Sequence, residues 1–161
     1  MNLHINLQIE ETALITKLLV AIDGSANSDK ALDFGLDIAE KYSASVHILN
    51  VFQLPAIYGY PDEPFGYQAN MTSFIKDLRK IHETILSKAS ARAIKAKPDL
   101  EITIDLQEGD PASQIVETAK QNNVDAIVLG HRGWNRIQEF FLGGTSERVA
   151  HLAQCTVFIV K

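Results

Sequence analysis

One stretch near the end of the chain, residues 130–147, has the composition of a phosphate-binding loop. Gly130 and Gly133 open the stretch, Gly143 and Gly144 close it, and nine residues lie between Gly133 and Gly143. Glycine allows a backbone to approach a ligand closely because it has no Cβ. The stretch leaves a predicted strand and enters a predicted helix, where free N–H groups and the helix dipole favour an anion. Spacing alone also fits two ordinary turns.

A family resemblance supports the phosphate-loop interpretation. Gly-x-x-Gly, nine residues, and then glycine followed by a small residue is similar to the nucleotide loop of the universal stress protein family. One position departs from the family pattern, because nucleotide-binding members usually have serine or threonine where this chain has Gly144. The resemblance extends over about residues 17–161, and it includes residues 20–25, 109–111, 145–149 and 156–160.

The resemblance implies an adenine-nucleotide site, with ATP or AMP as the ligand and Mg²⁺ or Mn²⁺ bound alongside it. In the family, adenine lies between the ends of the first two strands, where Val51 would offer backbone contacts and Leu129 would pack beneath the base. Residues 130–136 would hold ribose and phosphates, and residues 143–146 would complete the phosphate nest. The expected binding residues are Ala21, Ile22, Asp23, Val51, Leu129, Gly130, His131, Arg132, Gly133, Asn135, Arg136, Gly143, Gly144, Thr145 and Ser146.

Several of these side chains suit the site and also have an alternative structural role. Asp23 can accept a hydrogen bond from a ribose hydroxyl or the adenine amine, or help to hold a metal; alternatively, it caps the next helix. Arg132 and Arg136 can neutralise phosphate, or they are solvated loop residues. Thr145 and Ser146 supply hydroxyls, although Ser146 alternatively serves only as a helix N-cap.

Gly144 removes a hydroxyl that would donate a hydrogen bond to a phosphate oxygen. One hydrogen bond to a charged group contributes roughly 1.5–3 kcal/mol, which corresponds to about tenfold or more in affinity. The backbone N–H remains, so we expect a weakened site and not an abolished one.

The sequence contains no catalytic constellation that we can identify. His131 is the only histidine of the loop, and no carboxylate or nucleophile in the sequence pairs with it. Neither a Walker A pattern nor Gly-x-Gly-x-x-Gly occurs, and His82-Glu83 is followed by Leu86 where a zinc-binding motif has its second histidine. We therefore expect at most slow ATP hydrolysis.

Five predicted strands alternate with four predicted helices, which indicates an α/β three-layer sandwich with a parallel sheet. Ligands of such sheets bind beyond the carboxyl ends of the strands, at the topological switch point. We expect the strand order 3-2-1-4-5 of an adenine nucleotide alpha hydrolase-like fold. The first helix is capped by Ser25 or Asn27 and ends near Tyr42. The strands are predicted at 17–22, 45–51, 101–107, 125–129 and 156–160, and the other helices at about 71–95, 112–121 and 146–154.

Two segments lie outside this pattern. Residues 1–16 form a predicted N-terminal extension, whose alternating apolar and polar residues fit an edge strand, although a disordered leader fits as well. Residues 52–70 form a predicted long loop, whose aromatic side chains either line a pocket or cover the sheet. Residues 17–161 form the single predicted domain.

Composition and charge narrow the range of partners and locations. Among 161 residues, 15 Lys and Arg against 20 Asp and Glu give a net charge of −5, without a basic cluster, so we expect no nucleic-acid partner. No apolar run reaches the ~20 residues that span a bilayer, and residues 1–16 lack the features of a secretory signal. We expect no membrane association and a cytoplasmic location.

Cys155 is the only cysteine, which fits a reducing compartment and a buried structural thiol.

The leading hypothesis is an ATP-binding universal stress protein that acts as a nucleotide-dependent regulator of the stress response. The resemblance also implies a homodimer through the last strand, residues 156–160, which is an exposed edge in the expected strand order. Two alternatives remain: a dimeric signalling module that has lost nucleotide binding, and a slow ATPase.

Overall fold

The computed structural model describes residues 14–54, 65–131 and 144–161 of the chain. Strands and helices alternate along these ranges. The elements are β1 (Lys17–Ile22), α1 (Ala26–Tyr42), β2 (Ser45–Phe52), α2 (Phe65–Ala96), β3 (Ile102–Glu108), α3 (Pro111–Gln121), β4 (Ala126–Gly130), α4 (Gly144–Leu152) and β5 (Thr156–Val160).

The strands form one parallel sheet in the order β3-β2-β1-β4-β5. The predicted α/β class and the expected strand order are thereby confirmed. β1 lies between β2 and β4, so the chain first builds the sheet in one direction from β1 and later in the other. This change of direction is the topological switch point, and it lies at the carboxyl ends of β1 and β4.

Helices cover both faces of the sheet and give it two apolar clusters. On one face, Val20 of β1 lies in a buried cluster with Leu32 of α1 and Leu86 of α2. On the other face, Leu19 lies in a second cluster with Ile115 of α3. Alternate residues of β1 therefore contact opposite helical layers, which explains why the sequence of this strand is a continuous apolar run.

Helix starts are set by capping residues, and two helices begin earlier than predicted. Ser25 is the N-cap of α1, and Asp110 is the N-cap of α3 with proline at the first helical position, as predicted. α2 begins at Phe65, so the prediction of a loop up to residue 70 is wrong. The reason is that Pro64 is the last proline of that segment, and the chain behind it is free to become helical. α4 begins at Gly144 and not at Ser146.

Residues 1–13 and 55–64 lie outside the described residues, so the interpretations of the extension and of most of the long loop stay predictions. The end of the predicted extension contacts the domain. Ile15 is buried, and Thr16 donates hydrogen bonds from its backbone N–H and its hydroxyl to Asp125 at 2.7 and 2.8 Å. Among the residues that the structure describes, no helix has both the length and the apolar character that a bilayer crossing requires.

Two histidines are packed against the sheet, one on each face. His47 of β2 places Nδ1 2.8 Å from the Thr103 hydroxyl of β3, and His82 of α2 places Nδ1 2.7 Å from Oδ1 of Asn50. Burial lowers the pKa of both imidazoles, and this effect outweighs the nearby carboxylates that would raise it. Both histidines are therefore held in the neutral form in the folded protein more strongly than in the unfolded chain.

This linkage predicts that the protein loses stability as the pH falls below about 6.5, because the unfolded chain then binds more protons than the folded one. We expect the free energy of unfolding, measured by urea titration between about pH 7 and about pH 5.5, to decrease with falling pH. His47→Asn and His82→Asn, whose amides can replace the Nδ1 hydrogen bond, should each make the slope shallower. A slope that is identical in both variants and in the wild type would contradict the prediction.

Helix α1 lies very close to β1 at Gly35. A Cβ built on this glycine would stand 2.7 Å from Cγ2 of Val20, a side chain with no solvent exposure. Overpacking of this kind costs about 1–3 kcal/mol, whereas replacing glycine by alanine within a helix contributes about 1 kcal/mol. The contact distance therefore decides whether alanine at position 35 raises or lowers the free energy of unfolding.

We predict that Gly35→Ala lowers the free energy of unfolding by about 1 kcal/mol, because the steric cost exceeds the gain in helix propensity. Urea unfolding of Gly35→Ala, Val20→Ala and the double variant measures the coupling. In the double variant, the smaller side chain at position 20 should remove most of the steric cost. Stabilisation of the protein by Gly35→Ala alone would show that the contact is not restrictive.

Candidate functional site

The predicted binding residues meet at the carboxyl edge of the sheet. Ala21 of β1 pairs with Leu129 of β4, so the chain leaves both strands side by side, at Asp23 and at His131. The amino ends of α1, α3 and α4 lie at the same edge, because each of these helices follows a parallel strand. The edge therefore combines two strand ends with helix termini whose first N–H groups have no intrahelical partner.

The main-chain N–H and carbonyl of His131 join three elements at this edge. Its N–H donates to the carbonyl of Val160 in β5 at 2.8 Å, and its carbonyl accepts a hydrogen bond from the Ser146 hydroxyl of α4 at 3.1 Å. Ser146 lies inside α4 and is 2% exposed, so the N-cap alternative for this residue is wrong. The hydroxyl proton of Ser146 is thus already donated within the protein. The buried Nδ1 of His131 has no hydrogen-bond partner among the described residues.

The two described glycines of the loop have opposite surroundings. A Cβ on Gly130 would lie 2.9 Å from the backbone carbon and oxygen of Asn27. The first turn of α1 therefore packs directly on the end of β4, and the fold itself requires glycine at position 130. A Cβ on Gly144 would meet no atom of the described residues within 4 Å, and Gly144 and Thr145 are exposed at the start of α4.

An ion pair ties the amino end of α3 to α4. Nη1 and Nη2 of Arg148 donate to Oδ1 and Oδ2 of Asp110 at 2.7 and 2.8 Å. Oδ2 of Asp110 also accepts from the backbone N–H and the hydroxyl of Ser113, at 3.0 and 2.7 Å. The Arg148 guanidinium and, secondly, the Ser113 donors hold the pKa of Asp110 far below its usual range. Asp110 in turn raises the pKa of Arg148.

At the end of β1, Asp23 shapes the turn into α1. Its Oδ1 accepts a hydrogen bond from the backbone N–H of Ser25 at 2.9 Å. Ser25 itself is the N-cap, because its hydroxyl accepts from the N–H of Ser28 at 3.2 Å. Asp23 therefore organises the residue that caps the helix, and the alternative in which Asp23 is itself the cap is wrong.

A buried amide fixes the end of β1 to β2. Nδ2 of Asn50 donates to the carbonyl of Ile22 at 2.7 Å, and Oδ1 of the same side chain faces Nδ1 of His82 at 2.7 Å. Because Oδ1 can only accept, Nδ1 of His82 carries the proton. The His82 ring stacks on Phe52 with centroids 5.4 Å apart, and the guanidinium of Arg79 lies 5.2 Å from the centre of the same phenyl ring.

Sequence reasoning missed Asn50, His82 and the Asp110–Arg148 pair as residues that shape this edge. A signal for Asn50 was present, because an amide within the otherwise apolar end of a buried strand requires hydrogen-bond partners. No comparable signal points to His82, whose partner is 32 residues away along the chain. The pairing of Asp110 with Arg148 likewise depends on how α3 and α4 pack.

The structure brings the described members of the predicted set to one edge. Ile22 is buried and Ala21 is half-buried, and Leu129 lies in the cluster beneath α3 and α4. Val51 is half-buried at the end of β2, one strand further from β4. In the described ranges, no group of three or more His, Cys, Asp or Glu side chains is suited to hold a metal ion. The predicted residues Arg132, Gly133, Asn135, Arg136 and Gly143 lie outside the described residues.

Comparisons with known proteins agree with this architecture. The model of the "Universal stress protein family" matches residues 15–161. Universal stress protein YxiE of Bacillus subtilis is 34% identical over 156 residues, which cover 92% of this chain and 100% of the relative. Universal stress protein UspA of Lactobacillus plantarum superposes with a TM-score of 0.78 at 22% identity, over 91% of this chain and 98% of that one. A universal stress protein solved in complex with cAMP has a TM-score of 0.68 at 25% identity, over 92% of this chain and 98% of the other.

The family match spans almost the whole chain, and the curated relative is covered over its full length. The sheet order and the arrangement of the carboxyl edge fit the same assignment. The protein therefore belongs to the universal stress protein family.

Proposed function

We propose that this protein binds an adenine nucleotide at the carboxyl edge of its sheet and acts as a nucleotide-dependent regulator of the stress response. The observation that carries the proposal is the position of α4, whose amino end is held beside the topological switch point by the bond between Ser146 and His131. Unpaired N–H groups and the helix dipole at such an end favour a phosphate group. A relative solved in complex with cAMP supports the same class of ligand.

The strand ends suit the base and the ribose. The side chain of Ile22 is buried, so the backbone at the end of β1 is a candidate contact for adenine, as is the backbone of the half-buried Val51. Asp23 is half-buried and carries a carboxylate at the carboxyl end of β1, where it can accept from a ribose hydroxyl. The base is therefore proposed to lie over the ends of β1 and β2, with Leu129 beneath it.

The phosphates are proposed to lie over α4. The exposed Thr145 offers a hydroxyl there, and Nδ1 of His131 is a buried polar atom that has no hydrogen-bond partner among the described residues and that a ligand group can satisfy. The predicted residues 132–136 and Gly143 complete this part of the proposal. Mg²⁺ or Mn²⁺ would be held chiefly by the nucleotide phosphates, with Asp23 as the candidate protein carboxylate, because Mg²⁺ commonly uses one or two carboxylates together with substrate phosphates.

The first test is the nucleotide content of freshly purified protein, followed by calorimetric titration with ATP and Mg²⁺. Adenine nucleotide released by heat, or saturable heat of binding, would support the proposal. Protein that contains no nucleotide and gives no heat would contradict it, and the dimeric module without nucleotide would then be the better hypothesis.

Gly144 offers a gain-of-affinity prediction, because no atom of the described residues would obstruct a side chain there. Gly144→Ser adds the hydroxyl that nucleotide-binding family members usually have, and it should tighten ATP binding by about tenfold. Gly144→Ala is the matched control, since it adds a Cβ and a similar gain in helix propensity without a hydroxyl. The measurement is the calorimetric Kd for ATP of both variants and the wild type. Equal effects of serine and alanine would show that no phosphate lies against this residue.

We also propose a homodimer through β5. In the described part of the chain, β5 pairs only with β4, so its other side is a strand edge. The carbonyl of Val160 points towards β4, because it accepts from His131. Backbone N–H and C=O groups of successive residues in a strand point to opposite sides. The backbone groups of Phe158 therefore also point towards β4, whereas those of Val157 and Ile159 point to the unpaired side of β5. An edge of this kind can pair with a second copy of the chain.

This alternation gives a prediction for the dimer. Val157→Pro removes an N–H from the outer side of β5 and spares the ladder with β4, so it should convert the dimer into a folded monomer. Val157→Ala is the control, because it removes similar packing but keeps the N–H. Light scattering coupled to size exclusion measures the mass, and circular dichroism reports the fold. A wild type that is monomeric at every concentration, or a proline variant that stays dimeric, would contradict the proposal.

A further inference from the structure

The Asp110–Arg148 ion pair is bidentate and connects α4 to the amino end of α3. Both guanidinium nitrogens that face Asp110 are hydrogen-bonded to its two carboxylate oxygens, at 2.7 and 2.8 Å. A bidentate pair restricts orientation as well as distance, which a single contact between point charges does not. The pair therefore fixes how α4 is rotated and displaced relative to α3.

Among the described residues, α4 buries few side chains. The helix has nine residues, and its buried side chains in the described structure are Ser146 and Val149. Val149 packs in the cluster beneath α3 and α4, and apolar contacts of this kind are not directional. Ser146 bonds to the end of β4, which holds one side of the first turn. Arg148 follows within the next turn and supplies a second directional contact, to a different element.

Asp110 is itself held rigidly. It is the N-cap of α3, and two donors of Ser113 bind the same oxygen that accepts from Nη2 of Arg148. The anchor for α4 is therefore not a mobile surface carboxylate but a side chain fixed by the first turn of α3. The amino end of α3 and the helix α4 are thus joined through one carboxylate.

We propose that Asp110 and Arg148 are positioning residues for the phosphate end of the nucleotide site, which they serve by holding the N–H groups of α4 in place. The inference rests on the proposed function. Arg148 is not assigned as a phosphate ligand, because its Nη1 and Nη2 atoms donate to Asp110. The pair should therefore matter for ligands that carry phosphate and not for the nucleoside alone.

The direction in which Asp110→Asn changes the affinity for ATP distinguishes a positioning role of Arg148 from direct contact with phosphate. Asparagine keeps the N-cap of α3 but loses the charge that holds Arg148. If Arg148 bound phosphate directly, its release would strengthen ATP binding. If the pair positions α4, the release should weaken ATP binding.

The experiment is calorimetric titration of the full chain with ATP and with adenosine, at constant ionic strength, for the wild type, Asp110→Asn, Arg148→Met and the double variant. We expect about fivefold weaker ATP binding in each single variant and adenosine binding unchanged within about twofold. The double variant should be no weaker than Arg148→Met, because both substitutions remove the same contact. Arg148→Lys, which keeps the charge without the fork, should fall between the wild type and Arg148→Met.

Arg92→Met is the matched control for loss of an exposed ion pair. Arg92 of α2 binds Asp29 and Asp33 of α1, away from α4, and its exposure of 41% is similar to the 52% of Arg148. This variant should leave the Kd values for both ligands unchanged. If Arg148→Met fails to fold by circular dichroism, Asp110→Asn and Arg148→Lys provide the same comparison.

The outcomes separate the two proposals. A wild type that binds ATP, with an ATP-to-adenosine affinity ratio that the Asp110 and Arg148 variants do not change, overturns the positioning role alone. Stronger ATP binding by Asp110→Asn also overturns it, in favour of direct contact by Arg148. A wild type that binds neither ligand overturns the proposed function, and the positioning role with it.

Discussion

The geometry of the candidate site depends on the two main-chain hydrogen bonds of His131. Its N–H extends the ladder to β5, and its carbonyl receives the hydroxyl of Ser146 from α4. These bonds use main-chain atoms on the His131 side, so the position of α4 follows from the path of the backbone at the end of β4. A helix amino end is thereby brought beside the switch point of the sheet. The ion pair between Asp110 and Arg148 then restricts the same helix from the side of α3.

At the ends of β1 and β2, on the other side of the carboxyl edge, hydrogen bonds likewise fix the backbone, with different residues. The carbonyl of Ile22 ends a buried strand, and it would lose a hydrogen bond if Asn50 were apolar. The buried amide of Asn50 in turn requires a donor, which His82 supplies from α2. A buried polar group without a partner costs about 1–3 kcal/mol, so each of these groups fixes the position of the next. Both sides of the carboxyl edge are therefore set by buried or partly buried hydrogen bonds at the ends of apolar strands.

The fold could be predicted from the sequence because its elements are marked by local patterns. Continuous apolar runs gave the central strands, and Ser25 and Asp110 lie at the helix starts where capping residues are expected. The predicted start of α2 was wrong because aromatic residues and Gly66 resembled a loop, whereas the residues after Pro64, the last proline of that segment, are helical from Phe65. The contacts of Ser146 could not be predicted, since they depend on the path of the chain between β4 and α4. For the same reason the partner of Arg148 was visible only after α3 and α4 had been placed.

Gly130 has a consequence for how family members are classified. Its missing Cβ accommodates the backbone of Asn27, at a distance of 2.9 Å, before any ligand is considered. A descendant of this chain that had stopped binding nucleotide would still be selected to keep glycine at this position, because the packing of α1 on β4 would be unchanged. In this chain, glycine at position 130 is therefore required by the packing of α1 on β4, and its presence alone is not evidence of nucleotide binding. At position 144, by contrast, no packing among the described residues requires glycine, so a side chain there can differ according to the ligand.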